Sequence, residues 1–308
     1  MKIVIPDLVS NSYFPAIAAV ELGFFQREGL DVELELVFPV NTSYAWLRDG
    51  KADFVGGSAH SILAAFPEWR GAKLLGALAQ GMYWFLVMRA DLGAKRGNVA
   101  IVKGRKIGAA PWVDFGLKRL LADAGIDEVR DRVEIMPVPG STGAGVSFGV
   151  NAARALEDGK IDGFWANGMG AEVAVRRGVG SIVLDVRRGD GPMAAFGYTF
   201  PALVTTAALI DRAPEQAAGA VRALVKTQAA LKQNVKLAAD VGRKWFLEFE
   251  ASLIADVVSR DLPFYDPAIS AETFAACSRF ALAMGLAKQA ARYEDAVAVQ
   301  FRALWSVG

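Results

Sequence analysis

Asp49-Gly50-Lys51-Ala52-Asp53-Phe54 returns about 109 residues later as Asp158-Gly159-Lys160-Ile161-Asp162-Gly163-Phe164. Each copy follows a helix-like stretch and opens a short apolar run. Each run then breaks into small polar residues, Gly56-Gly57-Ser58-Ala59-His60 in the first and Ala166-Asn167-Gly168-Met169-Gly170 in the second. A helix stopped at glycine and followed by a buried strand is an α/β joint. Two such joints at domain-scale separation predict two similar α/β lobes, with a ligand cleft where their loops face.

The chain of 308 residues is long enough for two ordinary domains. With 53% hydrophobic and 22% charged residues it can bury a sizeable core, which argues against global disorder. Thirty-four basic residues face 33 acidic ones, net +1, without a basic stripe, so no nucleic-acid partner is expected. The single cysteine, Cys277, excludes an intrachain disulfide and a cysteine metal cluster. The only histidine is His60, so a His-rich metal site is excluded and no metal or cofactor is expected.

No stretch approaches the roughly 20 apolar residues of a membrane span. Met1-Lys2-Ile3-Val4-Ile5-Pro6-Asp7 reads as a strand rather than a charged region leading into an apolar signal core. Two expectations follow. Either the protein is cytoplasmic, or it is the periplasmic mature form of a chain whose export signal was replaced by a start methionine.

Along the chain, Ser10-Asn11-Ser12 precedes an apolar stretch from Tyr13 to Leu22 closed by Gly23, with Pro15 in its first turn, and this reads as a capped helix. Asp31 to Val37 alternates like a half-exposed strand. Ser58 to Phe66 reads as a helix, and Lys73 to Leu78 and Trp84 to Met88 as strands. Strand and helix patterns continue to alternate up to the strand of Ser181 to Val186, which predicts parallel βαβ units. Phe196 to Thr205 reads as a strand returning to the first block. From Pro214 the pattern is helical, including one helix from Ala287 to Trp305. The predicted architecture is two Rossmann-like α/β lobes. Lobe one holds 1–88 and 198–308, lobe two 89–197, and the helical tail packs on lobe one. A hinge crossed twice permits closure over a ligand.

Asn11-Ser12-Tyr13-Phe14-Pro15-Ala16-Ile17-Ala18-Ala19, then Glu21-Leu22-Gly23-Phe24-Phe25 and Glu28-Gly29-Leu30-Asp31-Val32, resembles the opening of the nitrate/sulfonate/taurine and thiamine-pyrimidine-precursor binding proteins. The resemblance spans roughly residues 1–230 and includes both Asp-Gly-Lys joints. It implies a type II periplasmic-binding-protein fold and a monomeric protein that delivers a small-molecule ligand to the membrane permease of an ABC importer. One departure stands out. Where many members end the first strand of lobe two in small residues with free amides, this chain reads Ala110-Pro111-Trp112-Val113-Asp114. Pro111 has no amide proton, Trp112 is bulky and Asp114 repels an anion. That composition argues against sulfonate or nitrate.

In such a fold the ligand sits where strand ends meet helix starts. In lobe one this selects Ser10, Asn11 and Tyr13, then Ser58 and His60, then Gln80 and Trp84 near the hinge. Ser10 or Asn11 also reads as a plain helix cap, His60 as a structural histidine, and Gln80 and Trp84 as hinge packing. In lobe two it selects Trp112 and Asp114, Ser141 and Thr142, and Trp165 and Asn167. Gly140-Ser141-Thr142-Gly143 resembles an anion nest but lacks the lysine of a P-loop, and it reads equally as a flexible turn. Tyr198 lies on the return crossing. The set describes an aromatic-rich pocket for a small planar or heterocyclic ligand. The alternative is a cofactor-free decarboxylase or desulfinase-like enzyme using His60 with Arg70. Related pyrimidine-forming enzymes would need a cysteine-rich segment, and a related desulfinase a cysteine in the cleft. Cys277 instead falls in the helical tail, and His60 has no nucleophile to activate. A ligand-sensing regulator would need a DNA-binding or signalling segment, and none is visible.

Overall fold

The computed structural model describes residues 1–141 and 147–306. In chain order the first elements are β1 (Lys2–Ile5), α1 (Phe14–Glu21), α2 (Phe24–Arg27), β2 (Glu33–Leu36), α3 (Val40–Arg48), β3 (Phe54–Ser58), β4 (Ala72–Ala77) and β5 (Phe85–Arg89). They are followed by β6 (Lys106–Ala109), α4 (Asp114–Asp123), β7 (Glu134–Met136), α5 (Phe148–Glu157), β8 (Gly163–Ala166), α6 (Gly168–Arg176) and β9 (Gly180–Asp185). The last are β10 (Pro201–Thr206), α7 (Ala207–Arg212), α8 (Pro214–Gln233), α9 (Leu237–Trp245), α10 (Glu248–Asp261), α11 (Ala271–Ala283) and α12 (Tyr293–Ala296).

These elements form two units. Unit one holds residues 1–8, 12–81 and 197–308, and unit two holds 9–11 and 82–196. The sheet of unit one runs β2-β1-β3-β10-β4, with β1 parallel to β2 and β3 and β10 antiparallel to β3 and β4. The sheet of unit two runs β7-β6-β8-β5-β9, with β6 parallel to β7 and β8 and β5 antiparallel to β8 and β9. The two orders are the same pattern. In each sheet the one antiparallel strand, β10 in unit one and β5 in unit two, is the first strand the chain makes after its long passage through the other unit. This refines one sequence expectation and corrects another. The sheets mix parallel βαβ units with one antiparallel strand each, and β5 pairs in the second sheet, so the boundary expected between 88 and 89 falls between 81 and 82.

The repeated phrase does the same work in both units. Gly50 (φ +70°) and Gly159 (φ +67°) end α3 and α5 in the left-handed region, which costs glycine no Cβ clash. The amide of Lys51 then reaches back to the Trp46 carbonyl at 2.9 Å, and that of Lys160 to the Ala155 carbonyl at 3.0 Å, closing the helix in a Schellman turn. Next, Asp53 grips the start of β1. Its amide donates to the Lys2 carbonyl (2.9 Å), and its carboxylate accepts from the Lys2 amide (2.8 Å). Asp162 grips the start of β6 likewise, through Lys106 at 2.8 and 2.9 Å. The clasp pins the register of β3 on β1 and of β8 on β6. A one-residue slip there would turn every inward side chain outward.

The helical tail belongs to unit one. α8 packs on α1, α2 and β4. Glu28, just past α2, takes Arg222 at 2.6 Å and Lys226 at 2.5 Å from α8. The Gln228 amide donates to the carbonyls of Ala77 and Leu78 at the end of β4 (2.9 and 3.0 Å). Two further expectations are corrected. Ala59–Ala64 is a 3-10 segment rather than an α-helix through Phe66. The span 287–305 is not one helix. α12 ends where Val297 bridges Leu74 of β4, and a 3-10 segment, Val299–Trp305, follows. Among the described residues no helix is long and apolar enough to cross a membrane, and no cluster of His, Cys, Asp and Glu could hold a metal ion.

Candidate functional site

At the carboxyl end of the unit-one sheet, β3 delivers Ser58 and the 3-10 segment behind it delivers His60, both fully buried. β10 runs the other way, with Pro201 opposite Ser58, so Tyr198 and Thr199 come to the same end. The Tyr44 hydroxyl donates to the Ser58 carbonyl at 2.9 Å, and the Ser58 and Ser61 hydroxyls lie 2.6 Å apart. His60 Nδ1 is 3.0 Å from the Thr199 hydroxyl, and its Nε2 is 3.4 Å from that of Ser61. The His60 ring stands at right angles to that of Phe280 of α11 with centroids 5.4 Å apart, and Phe280 is stacked on Tyr198 at 5.0 Å. Cys277 lies one turn earlier on α11 and is fully buried. Burial pushes its thiol up to about 12, so it carries its proton at any ordinary pH. Tyr13 occupies the position before α1 and is buried, with no side-chain cap. The Gln80 amide donates to the carbonyls of Asp266 and Ala268 (2.8 and 2.7 Å), tying the tail loop to the end of β4.

At the carboxyl end of the unit-two sheet, Trp84 stands just before β5 and Trp165 lies on β8, with ring centroids 6.0 Å apart. The Trp165 indole nitrogen is buried and makes no hydrogen bond among the described residues. After β6 the chain passes through Trp112, half-buried and held at φ +71°, with its ring edge-on to Phe115 at 5.5 Å. Asp114 is the first residue of α4 and pairs with Lys118 at 2.6 Å. The Val113 and Asp114 amides both bond the Ala110 carbonyl (3.1 and 3.0 Å). The Ser141 hydroxyl donates to the Val138 carbonyl at 2.7 Å, and Thr142 lies outside the described residues.

The start of α6 shows what the asparagines do. Asn167 is its cap, accepting the Met169 and Gly170 amides at 3.1 and 3.3 Å. Asn11 accepts the same Met169 amide at 3.2 Å. The reading of Asn11 as a cap for the following helix is thus corrected. It serves a helix 158 residues on, while α1 has no side-chain cap. Ser10 is buried in the same short segment, 9–11, of unit two. Because Asn11 remains on the Met169 amide, Asn167→Ala should cost only about 1 kcal/mol in urea unfolding, and the Asn11→Ala/Asn167→Ala double variant more than the sum of the two singles.

The helix starts after β6 and β8 therefore already carry a carboxylate and two amide oxygens where an anion would sit. The positive charge lies elsewhere. Arg187, just past β9, is 4% exposed and the one buried cation among the described residues, with its guanidinium 5.7 Å from the Tyr83 ring. Sequence reasoning missed it because Arg187-Arg188-Gly189-Asp190-Gly191 has the composition of a solvated loop. It missed Thr199 and Tyr44 as well. Thr199 is next to Tyr198, but nothing local signals its pairing with His60.

Comparison with curated proteins gives no match. Among solved structures, a Bordetella bronchiseptica RB50 protein aligns with 92% of this chain and 88% of its own at 22% identity and TM-score 0.73. The alkanesulfonate-binding protein SsuA from Xanthomonas axonopodis pv. citri, solved with MOPS, covers 96% and 97% at 14% identity and TM-score 0.71. The desulfurization enzyme DszB covers 98% and 97% at 15% identity and TM-score 0.65. At these identities the likeness establishes the fold, that of type II periplasmic binding proteins. The family model described as NMT1/THI5 like matches residues 10–235, so the chain belongs to the NMT1/THI5-like family.

Proposed function

We propose that this chain is the solute-binding protein of an ABC importer, working outside the cytoplasmic membrane as a monomer, and that it takes a small flat aromatic or heterocyclic acid at its strand ends. The observation that carries the reading is Trp112. A bulky residue at φ +71° costs of order 1–3 kcal/mol, and such strain persists at ligand-gripping positions where the surroundings enforce it. Trp84, Trp165 and Phe115 add flat surface in the same unit. Arg187 supplies a buried positive charge suited to an acidic group on the ring. The engaged helix starts support an organic acid over a simple anion.

A thermal-shift screen of sulfonates, aromatic acids, pyrimidines and flavins tests this, because a ligand that binds only the folded state raises the melting temperature. The expected hit is an aromatic or heterocyclic acid that is bound without turnover. Trp112→Gly should raise stability by about 1 kcal/mol, since glycine is unstrained there, while weakening the hit about tenfold. Unchanged affinity in that variant, or a screen without hits, would refute the reading. Consumption of a hit that is lost in His60→Ala would replace it with the enzyme alternative. A thiolate route is disfavoured by Cys277, which is fully buried and held as a thiol.

A further inference from the structure

Trp165 carries a polar atom that the fold does not use. In the sheet register it lies beside Leu86 of β5 and Ala109 of β6, and paired residues share one face of a sheet. Neither neighbour has a side-chain acceptor. The Trp165 ring is fully buried, and its Nε1–H meets no acceptor among the described residues. Most buried polar groups find a partner, so an exception calls for a cause. Packing alone is no cause, because phenylalanine offers a flat apolar surface without a donor to desolvate.

The position of the donor supplies a cause. Trp165 is the last residue but one of β8, and Ala109 beside it is the last of β6, three residues before Trp112. Ligands of open α/β sheets bind at that end of the strands. Trp84, with its ring centroid 6.0 Å from that of Trp165 and its plane tilted by 59°, stands just before β5, outside the strand ladder.

We propose that Trp165 Nε1–H is the specificity-determining donor of the unit-two strand ends, and that it reads a neutral acceptor on the edge of a flat ring, a ring nitrogen or ring carbonyl. The inference rests on the ligand-binding reading above and adds what the ring must carry. The acid group belongs near Arg187, because a charge placed among the apolar neighbours of Trp165 would lose its water without a counter-charge. Trp84 is the neighbour that yields to admit the ring, since Trp165, Leu86 and Ala109 are held by strand pairing. The site thus selects a heterocyclic acid over the carbocyclic acid of the same shape.

Benzoate and the pyridinecarboxylate isomers differ by CH against N, and calorimetry on the full chain at mildly alkaline pH compares them. One isomer should bind about tenfold tighter than benzoate, and Trp165→Phe should remove that advantage while leaving the affinity for benzoate unchanged. The chain has seven tryptophans, and the 15N-indole signal lost in Trp165→Phe is that of Trp165. In the wild type this signal should move downfield when the favoured isomer is added and stay in place with benzoate. Should the phenylalanine variant not fold, through-space contacts to the Leu86 and Ala109 methyls assign the signal in the wild type, and the two titrations still decide. Benzoate bound as tightly as every isomer, an advantage that survives in Trp165→Phe, or a Trp165 signal indifferent to the bound isomer overturns the inference. Failure of all the isomers to bind also overturns it, yet leaves the ligand-binding reading standing wherever the thermal-shift screen finds another acid. A screen without any hit refutes that reading and this inference together.

Discussion

Trp165→Ala is expected to destabilise the protein by about 3–5 kcal/mol, and Trp165→Phe by far less than its loss of volume suggests. Trp165 is fully buried on β8, between Leu86 of β5 and Ala109 of β6 in the sheet register, with its ring 6.0 Å from that of Trp84. Truncation to alanine removes an indole from the middle of the unit-two sheet, and the backbone on both sides is fixed by strand pairing, so the space cannot collapse. Phenylalanine keeps most of the packing and deletes something the folded state gains little from. A buried indole N–H without a partner has given up water for nothing, at a cost of about 1–3 kcal/mol. Losing that donor offsets part of the lost contact. Urea unfolding followed by far-UV circular dichroism measures both variants. A phenylalanine variant as damaged as the alanine one would show that the nitrogen contributes to the fold. If instead Trp165→Phe keeps stability and weakens the ligand found by the thermal-shift screen, the indole donor is reserved for that ligand.

Gly170→Ala comes next in size, and its sign is diagnostic. In an open helix, glycine to alanine stabilises by about 1 kcal/mol. Here it should destabilise by about 2 kcal/mol net, because α5 and α6 of unit two touch backbone to backbone. A Cβ on Gly170 would lie 2.7 Å from the Gly149 carbonyl oxygen and 2.8 Å from its Cα. Neither atom belongs to a side chain that can swing away. The helices would have to part, and the Gly170 amide would be drawn off the Asn167 cap that now holds it at 3.3 Å. Native-state hydrogen exchange should show faster opening of α5 and α6 and little change in α8 of unit one. A stabilised Gly170→Ala would mean that the helices are free to move apart.

Local chemistry made much of the fold readable. Asp-Gly-Lys marks a helix end because the left-handed turn needs glycine, and the apolar run behind it marks a strand. Both follow from residues within a few positions of each other. What the sequence hid is tertiary. Nothing in Phe85–Arg89 or Pro201–Thr206 says that these strands run antiparallel to their neighbours, because direction is set by where the chain has come from. Asn11 looks like the cap of the helix beside it and instead caps one 158 residues away. The span from Ala287 has helical composition throughout, yet Val297 is pulled onto Leu74 of β4 and the helix stops there. Trp84, Trp112 and Trp165 of unit two and His60 of unit one were legible as residues next to the strand ends of their own sheets. Arg187 and Thr199 were not, since an arginine in a polar loop and a threonine before a strand acquire meaning only from what they meet.

The place of β10 also sets an order of assembly during synthesis. In the sheet of unit one, β3 and β4 are neighbours only through β10, which lies between them. Until residues 201–206 leave the ribosome, that sheet is a three-stranded piece and a loose fourth strand, with the facing edges of both unpaired. Unit two faces no such wait, because its fifth strand, β9, ends at Asp185. The unit whose synthesis begins first is therefore the last that can close, the reverse of the usual amino-terminal-first sequence for nascent domains. A nascent chain stalled shortly before residue 201 would expose two strand edges, and at that length it most needs a chaperone.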